Sequence, residues 1–367
     1  MDFKRISFLL LFIFFFEKAT AQNYFTISGR VLESITLEPI AAAQIFLNGT
    51  TIGTSSDADG NFILDEIPAG IHELAIRFIG FENITLELDT KNLEEFYSIS
   101  LVEKVYELDE ITVKPDEKNW KIDFEVFKES FIGEGPFSEN THILNKEVLN
   151  FNYDYENEKF NAFALDRLEI ENKDLGYKVY FYLESFEINF NRGSSSYYGQ
   201  TLFEELTSSR KRTRNKWKEN RETAYRGSFE HFIKTLIKGT LSDSGYLVRG
   251  EQRENNTRYV TKDTLVTSNY FTPIDNSYFR LQFDDFINVV YKNELEDESY
   301  LEFIRTPFDS NARTLVDFQQ SSITLTEEYV LIDSTSYIYN PKAISSSGYW
   351  GFEKFSDLLP LNYSIEK

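Results

Sequence analysis

The sequence predicts a mainly β protein, with a β-sandwich at its N-terminus followed by a mixed, mostly antiparallel α+β part. Three observations support this fold class. Short runs of alternating apolar and polar residues recur over the first third of the chain, separated by turn residues. Two amphipathic helical patterns interrupt further strand-like runs in the remainder. The 34 Phe and 22 Tyr residues supply more apolar surface than disordered chains contain.

The N-terminus has the pattern of an export signal. Lys4 and Arg5 give a basic start, Ile6–Phe16 form an apolar run, and Ala19–Ala21 are a small-x-small cleavage site, so we expect the mature chain to begin at Gln22. The alternative is an uncleaved membrane anchor, but the apolar run falls well short of the roughly 20 residues that span a bilayer. The predicted parts are a signal peptide (residues 1–21), a β-sandwich (22–115) and an α+β domain (116–367).

The strands of the sandwich are predicted from alternating apolar positions bounded by turns. The runs cover residues 25–33, 42–50, 55–64, 71–81, 84–90, 96–103 and 108–115. The dipeptides Asn48-Gly49 and Asp59-Gly60 are typical of tight hairpin turns. Residues 57–61 also resemble the start of a calcium loop, but glycine at the fourth position instead of the sixth breaks its register. This favours a hairpin turn without an ion.

A set of short motifs between Ser28 and Glu82 carries a family resemblance. The motifs are Gly29-Arg30-Val31, Pro39–Ile45, Gly53-Thr54, Asp59–Phe62, Pro68–Gly70 and Phe78–Phe81. Together they resemble the carboxypeptidase regulatory-like family over about a quarter of the chain. The resemblance implies a transthyretin-like or immunoglobulin-like sandwich that is non-catalytic and appended to envelope proteins. Residues 106–115 also resemble the segment that joins such a module to the plug of TonB-dependent transporters.

The second part begins after a charged linker at residues 115–119. Aromatic residues at helical spacing predict a helix over residues 120–131 that stops at Gly133. A long strand at 177–190 changes its apolar face near Glu184-Ser185, which predicts a β-bulge. A second helix is predicted from Phe229 to Ile237, with Ser228 as its N-cap and Gly239 at its C-terminus.

Three stretches of this second part carry a looser resemblance. Residues 143–186, 220–236 and 349–363 are similar to segments that follow the regulatory-like module in exported proteins of Gram-negative envelopes. This resemblance implies an envelope location and no particular activity.

Charge and cysteine content narrow the possible partners. The net charge of −22 disfavours binding to nucleic acid and anionic lipid headgroups, and it favours binding of cations or basic surfaces. The alternative interpretation is that the acidic surface only keeps the protein soluble. The chain contains no cysteine, so disulfides, thiolate ligands, a cysteine nucleophile and a lipobox cysteine are excluded. We therefore expect a protein of the periplasm or the outer-membrane surface, either soluble or held there by a partner.

The residues typical of hydrolases are scarce. A zinc carboxypeptidase needs two His and a Glu on one metal, and the only histidines, His72, His142 and His231, do not occur in such a motif. A Gly-x-Ser-x-Gly nucleophile elbow is also missing. Glycoside cleavage uses a pair of carboxylates, but pairs such as Asp284-Asp285 are expected by chance in so acidic a chain and do not decide the question. An envelope hydrolase acting on glycan or peptide is therefore the alternative hypothesis.

One basic run stands out. The candidate contact patch consists of Arg210, Lys211, Arg212, Arg214, Lys216, Trp217 and Lys218. It is interpreted either as a solvated loop or helix lead-in, paired with the acidic stretch at 203–206, or as a docking patch for an acidic partner or lipid phosphate. Trp120, Trp217 and Trp350 could stack on sugar rings, although aromatic residues more often fill a core.

The sequence-based hypothesis is a non-catalytic envelope protein that acts in binding or assembly. It predicts no catalytic residue, cofactor, metal site or further membrane span, and it predicts an envelope or outer-membrane protein or a glycan as the partner.

Overall fold

The computed structural model describes residues 24–104, 117–254, 257–275, 277–305 and 315–365. The predicted signal peptide at 1–21 and the predicted strand at 108–115 lie outside these residues. Within them the protein is mostly β, as predicted, and the helices are few and mostly short. In this described part no helix has the length and apolar character needed to cross a bilayer.

The N-terminal region is the predicted β-sandwich. Its strands are β1 (Tyr24–Glu33), β2 (Gln44–Leu47), β3 (Gly53–Ser55), β4 (Asn61–Pro68), β5 (Ile71–Arg77), β6 (Ile84–Asp89) and β7 (Tyr97–Leu101). One sheet has the order β4-β1-β7 and the other β3-β2-β5-β6. All pairs are antiparallel except β1 with β7. Alternate residues such as Val31, Leu64 and Ile76 fill the core between the sheets.

The two predicted turns differ in what they connect. Asn48-Gly49 lies in the connection between the antiparallel strands β2 and β3, as predicted for a hairpin. The prediction of a hairpin at Asp59-Gly60 was wrong, because β3 and β4 belong to different sheets. The turn itself is tight: the Asp57 carboxylate accepts the backbone N–H groups of Asp59 and Asn61, and Gly60 has a φ of 79°.

The second unit is a sheet covered by a helix. Its elements are α1 (Glu117–Ile132), β8 (Thr141–Ile143), β9 (Leu149–Asp154), β10 (Lys159–Ala164), β11 (Leu168–Asn172), β12 (Tyr177–Asn189) and β13 (Ser194–Glu205). Strands β11 and β10 pair with successive halves of one edge of β12, and β13 pairs along the whole of the other edge. The predicted stripe of α1 is buried against this sheet: Phe127 packs 4.7 Å from Phe186 between ring centroids, and Phe131 packs 5.3 Å from Phe181. The predicted bulge is confirmed by a register shift between Leu183 and Ser185.

The third unit combines two sheets with helices. Its elements are α2 (Lys211–Tyr225), α3 (Phe229–Lys238), β14 (Tyr246–Glu254), β15 (Thr257–Thr264), β16 (Phe271–Pro273), β17 (Tyr278–Leu281), β18 (Phe286–Leu295), α4 (Glu298–Ile304), β19 (Phe318–Leu325), β20 (Val330–Asp333), β21 (Ile344–Gly348) and α5 (Tyr349–Phe352). The sheet orders are β15-β14-β18-β19-β21 and β16-β17-β20. Helix α3 packs its apolar stripe into the core shared by both sheets. Its predicted ends are confirmed, since Ser228 accepts the N–H of His231 and Gly239 is left-handed.

The sandwich docks on the second unit through an apolar contact. Phe46 and Ala75 of the sandwich and Leu202 of β13 are buried together, and the Phe46 ring stacks on Tyr182 with centroids 5.5 Å apart. Thr50 forms a parallel bridge with Leu202 beside them. This contact brings sandwich loops next to α2 on one side and next to β12 on the other, and a cleft lies at each place.

Candidate functional site

The basic run lies on a helix. Residues 211–218 form the first half of α2, and Arg210 is its N-cap residue with an extended backbone. The interpretation of the run as a loop was therefore wrong, and the run is the start of a helix. Lys216 pairs with Asp174 at 2.9 Å, and Arg214 donates to the Ser208 carbonyl at 2.6 Å. Arg221, which follows the run on α2, pairs with Glu205 of the acidic stretch at 203–206.

Helix α2 is held by the loop between β11 and β12. The Trp217 indole N–H donates to the Lys173 carbonyl at 2.8 Å. Asn220 donates to the next carbonyl, that of Asp174, at 2.8 Å. Arg221 donates to the following two, those of Leu175 at 2.7 Å and of Gly176 at 3.0 Å. Four successive backbone acceptors are thus satisfied by side chains of one helix face, which fixes α2 in position.

Gly176 allows the close approach of the Trp217 ring. Its φ is 71°, and a Cβ added there would lie 2.4 Å from the indole, so another residue would be both strained and in collision. Next to it, the Arg221 guanidinium lies 3.9 Å from the ring centroid of Tyr177. The Trp217 indole and the Arg221 guanidinium therefore form one wall of a cleft.

That wall borders a cleft of about 610 Å³, which we name the α2 cleft. The other walls are the end of β13 with residues 205–208, the C-terminal segment 360–365, and Thr51 of the sandwich. Of the predicted contact patch, Arg214, Trp217 and Lys218 line the cleft. The remaining members, Arg210, Lys211, Arg212 and Lys216, are exposed and lie outside it.

The C-terminal wall is attached to two units. The Leu361 N–H donates to the Gly49 carbonyl at 2.7 Å. Asn362 exchanges two hydrogen bonds with Thr51, accepting its N–H at 3.2 Å and donating to its hydroxyl at 2.8 Å. Lys234 of α3 donates to the Leu361 carbonyl at 2.7 Å. The wall is thereby held between the sandwich and α3.

The charges in the α2 cleft are unequally paired. Glu205 binds Arg221 at 3.2 Å, and Glu222 binds Arg226 at 2.6 Å. Arg214 is exposed, and among the described residues it has no acidic partner. The cleft is therefore lined by a cation and by an aromatic ring, on a chain whose net charge is −22.

The three histidines occupy separate places in the fold. The His72 ring is 2.8 Å from the Pro68 carbonyl in the sandwich, and His142 is exposed on β8. His231 accepts the N–H of Gly227 on Nδ1, and burial lowers the pKa of this imidazole to about 4. In the described chain no group of three or more His, Asp or Glu is arranged to hold a metal ion.

The two other tryptophans are structural. Trp120 donates to the Leu149 carbonyl at 3.0 Å and packs on the second core. Trp350 donates to the Gly227 carbonyl at 2.7 Å and is buried in the third. Of the three indoles, that of Trp217 is the one that lines a described cleft.

Sequence reasoning missed several cleft residues. Arg221 lies four residues after Trp217, so extending the helical period beyond the basic run would have found it. Thr51 and Asn362 are brought to the cleft by contacts between distant segments, and no local signal identifies them.

The family comparison concerns the sandwich. Residues 27–113 match the family model of the CarboxypepD_reg-like domain, and the strands described above run through most of this range. The described residues of this range, 27–104, belong to a CarboxypepD_reg-like domain. The match confirms the resemblance seen in the motifs between Ser28 and Glu82.

Among curated proteins, the chain is similar over part of its length to the TonB-dependent receptor SusC of Bacteroides thetaiotaomicron. The alignment is 34% identical over 103 positions and covers 25% of this chain and 10% of SusC. The chain thus spans about a tenth of the length of this relative.

Two solved structures show weak likeness. A type II cohesin–X-dockerin complex from Acetivibrio cellulolyticus is 23% identical and matches 20% of this chain and 51% of that chain, with a TM-score of 0.16. A 9R-lipoxygenase from Cyanothece matches 59% of this chain and 48% of its own, at 11% identity and a TM-score of 0.19. At such scores neither likeness bears on the fold or function of this chain.

Proposed function

We propose that this chain is a non-catalytic binding protein of the cell envelope, and that the α2 cleft binds an anionic glycan. The observation that carries the proposal is that the same cleft is lined by the Trp217 indole and by Arg214, a cation without an acidic partner among the described residues. An indole offers a flat apolar surface for a sugar ring. An arginine offers a fork of donors for a carboxylate.

The shape of the site supports a glycan over a protein partner. Protein interfaces of standard size bury about 800 Å² on each side, whereas small ligands occupy concave sites of roughly 300–1,000 Å³. The α2 cleft, at about 610 Å³, falls within the second class.

The hydrolase alternative would require two free carboxylates that face each other across the site. The two glutamates of the cleft, Glu205 and Glu222, are each bound to an arginine. The pair Asp284-Asp285 is exposed on the turn before β18, and neither residue lines a described cleft. These arrangements support the non-catalytic proposal.

The envelope location is supported by the CarboxypepD_reg-like domain and by the similarity of part of the chain to a TonB-dependent receptor. The predicted signal peptide at residues 1–21 and the absence of cysteine agree with export without a lipid anchor. We place the protein in the periplasm or at the outer-membrane surface.

The test is retention of the full mature chain on polygalacturonate, a polymer of uronic acids, with neutral dextran as the comparison. We expect retention on polygalacturonate alone, and we expect added salt to weaken it. Arg214→Gln and Trp217→Ala should each abolish it. Lys211→Gln removes an exposed charge of α2 outside the cleft and is the matched control.

Three outcomes would contradict the proposal. Equal retention of the native chain and Arg214→Gln would exclude the cleft as the binding site. Capture of an acidic protein from envelope extract through Arg214, without glycan retention, would replace the glycan by a protein partner. Cleavage of polygalacturonate by the purified chain would show that the protein is an enzyme.

A further inference from the structure

A second cleft lies between the CarboxypepD_reg-like domain and the second unit. It has a volume of about 450 Å³ and is lined by the end of β5, the loop that follows it, the connection between β10 and β11, and β12. We name it the Arg77 cleft, because the side chain of Arg77 reaches it from the sandwich. It is separate from the α2 cleft, with which it shares no lining residue.

Arg77 is buried and weakly paired. Its side chain is 2% exposed, and its Nε has no hydrogen-bond partner among the described residues. Its other two nitrogens make long contacts of 3.4 Å, one to the Ile84 carbonyl and one to the Glu184 carboxylate. Burial lowers the pKa of this guanidinium, partly offset by Glu184. A buried cation is ordinarily paired and fully hydrogen-bonded, so this one is undersupplied with acceptors.

A second guanidinium lines the same cleft, from the second unit. Arg167 interacts electrostatically with the Tyr182 hydroxyl, and the Arg77 guanidinium lies 5.8 Å from the ring centroid of the same tyrosine. Arg167 is 3.4 Å from Glu169, but that carboxylate is closer to Lys178, at 2.9 Å. The two arginines therefore flank Tyr182, and each has one carboxylate at 3.4 Å, longer than the usual distance of a charge-assisted hydrogen bond.

The rest of the cleft combines a further charge with apolar surface. The lining also contains a third cation, Lys104, and two acidic residues, Asp166 and Glu169. Phe78, Phe81 and Leu165 supply apolar surface on both sides. A cleft with two arginines and apolar sides fits a ligand that carries one anionic group on an apolar body.

We propose that the Arg77 cleft binds an organic oxyanion, a carboxylate or phosphate, whose apolar part packs on Phe81 and Leu165. The guanidinium groups of Arg77 and Arg167 take up the anion, because planar forks of donors match the oxygens of both groups. The ligand contacts the sandwich and the second unit together. It therefore stabilises the arrangement of the two and raises the unfolding midpoint of the chain.

The test uses the full mature chain with three probes, hexanoate, hexyl phosphate and inorganic phosphate, and with hexanol as the neutral comparison. Calorimetric titration and thermal unfolding report on the same binding. We expect hexanoate or hexyl phosphate to bind saturably and to raise the unfolding midpoint, and hexanol to do neither. Which of the two binds more tightly decides between the carboxylate and the phosphate.

Two substitutions locate the site. Arg167→Gln should weaken binding by about tenfold or more, the loss expected for a charged hydrogen bond. Arg192→Gln, in the exposed turn after β12, is the control and should bind as the native chain does. Arg167 is preferred to the buried Arg77 because it is half-buried, and its loss leaves no cavity in the sandwich.

The proposal is overturned if neither organic anion binds, or if Arg167→Gln binds as tightly as the native chain. Inorganic phosphate binding as tightly as hexyl phosphate would remove the apolar part of the assignment. Retention on polygalacturonate depends on Arg214 and should be unchanged in Arg167→Gln, so the two sites are tested separately.

Discussion

Glu184, the extra residue of the bulge in β12, lies with its carboxylate 3.4 Å from the guanidinium of Arg77 in the sandwich. In a regular strand, successive side chains alternate between the faces, and an extra residue re-aims the side chain at that point. The bulge thus supplies a counter-charge to a cation that the sandwich buries. A local irregularity of one sheet is therefore part of the contact between two units.

The first prediction concerns this ion pair. Glu184→Gln should lower the free energy of unfolding by about 1–3 kcal/mol, because it leaves the Arg77 charge buried without a counter-charge. Glu187→Gln is a close control, because Glu184 and Glu187 are both 36% exposed. Their partners differ: Lys159, which pairs with Glu187, is 32% exposed, whereas Arg77 is 2% exposed. The control should cost less than about 1 kcal/mol. Urea unfolding in a buffer without phosphate or carboxylate measures both, and equal losses would contradict the role assigned to Arg77.

The features that the sequence predicted correctly depend on local physics. The caps of α3, the stop of α1 at Gly133 and the bulge at Glu184 follow from residue types within a few positions of each other. The family motifs of the sandwich belong to the same class, since each marks a turn or a strand within a single run.

The features that it missed depend on which segments meet. Asp59-Gly60 specifies a tight turn, but whether the flanking strands pair is decided by the sheets on either side. The walls of the α2 cleft come from Thr51, Trp217 and Asn362, which are far apart along the chain. Likewise, Arg77 is in the sequence a single polar residue at the end of a predicted strand. Its burial results from the docking of the sandwich against β12.

The second prediction concerns Glu73, which joins all three units. Its carboxylate accepts the hydroxyl of Tyr337 at 2.6 Å and the amide of Gln200 on β13. Tyr337→Phe should lower the free energy of unfolding by about 1.5–3 kcal/mol, the range for a hydrogen bond to a charged group. Tyr180→Phe removes an exposed bond to Glu204 and should cost less than about 1 kcal/mol. If chemical denaturation gives the same loss for both, Glu73 is not a structural junction.

The third prediction concerns Gly176 and the Trp217 wall. Gly176→Ala should destabilise the chain by about 2 kcal/mol or more and displace the indole, which a Cβ would meet at 2.4 Å. Gly193 also has a positive φ, but a Cβ there would meet nothing within 4 Å, so Gly193→Ala isolates the backbone cost. We expect a changed tryptophan emission and loss of polygalacturonate retention in the first variant only. Unchanged emission in Gly176→Ala would mean that the ring tolerates the added methyl group.

The fourth prediction concerns pH and two buried groups with opposite behaviour. Burial raises the pKa of Glu294 from 4.5 to about 7, so the folded chain holds this proton more tightly than the unfolded chain. The stabilising contribution is complete below pH 4.5 and is lost as pH rises through about 7. Glu294→Gln abolishes the dependence, so the variant should gain up to about 3 kcal/mol relative to the native chain across this interval.

His231 gives the opposite dependence of stability on pH. The measurement for both groups is urea unfolding of the native chain and of each variant at a series of pH values. Burial lowers the pKa of its imidazole from 6.5 to about 4, so its contribution is complete above pH 6.5 and is lost as pH falls through about 4. The free energy of unfolding of His231→Asn should therefore rise relative to that of the native chain as pH falls. That of Glu294→Gln should rise relative to that of the native chain as pH increases. A pair of variants with slopes of the same sign would show that one of these groups is solvated in the folded chain.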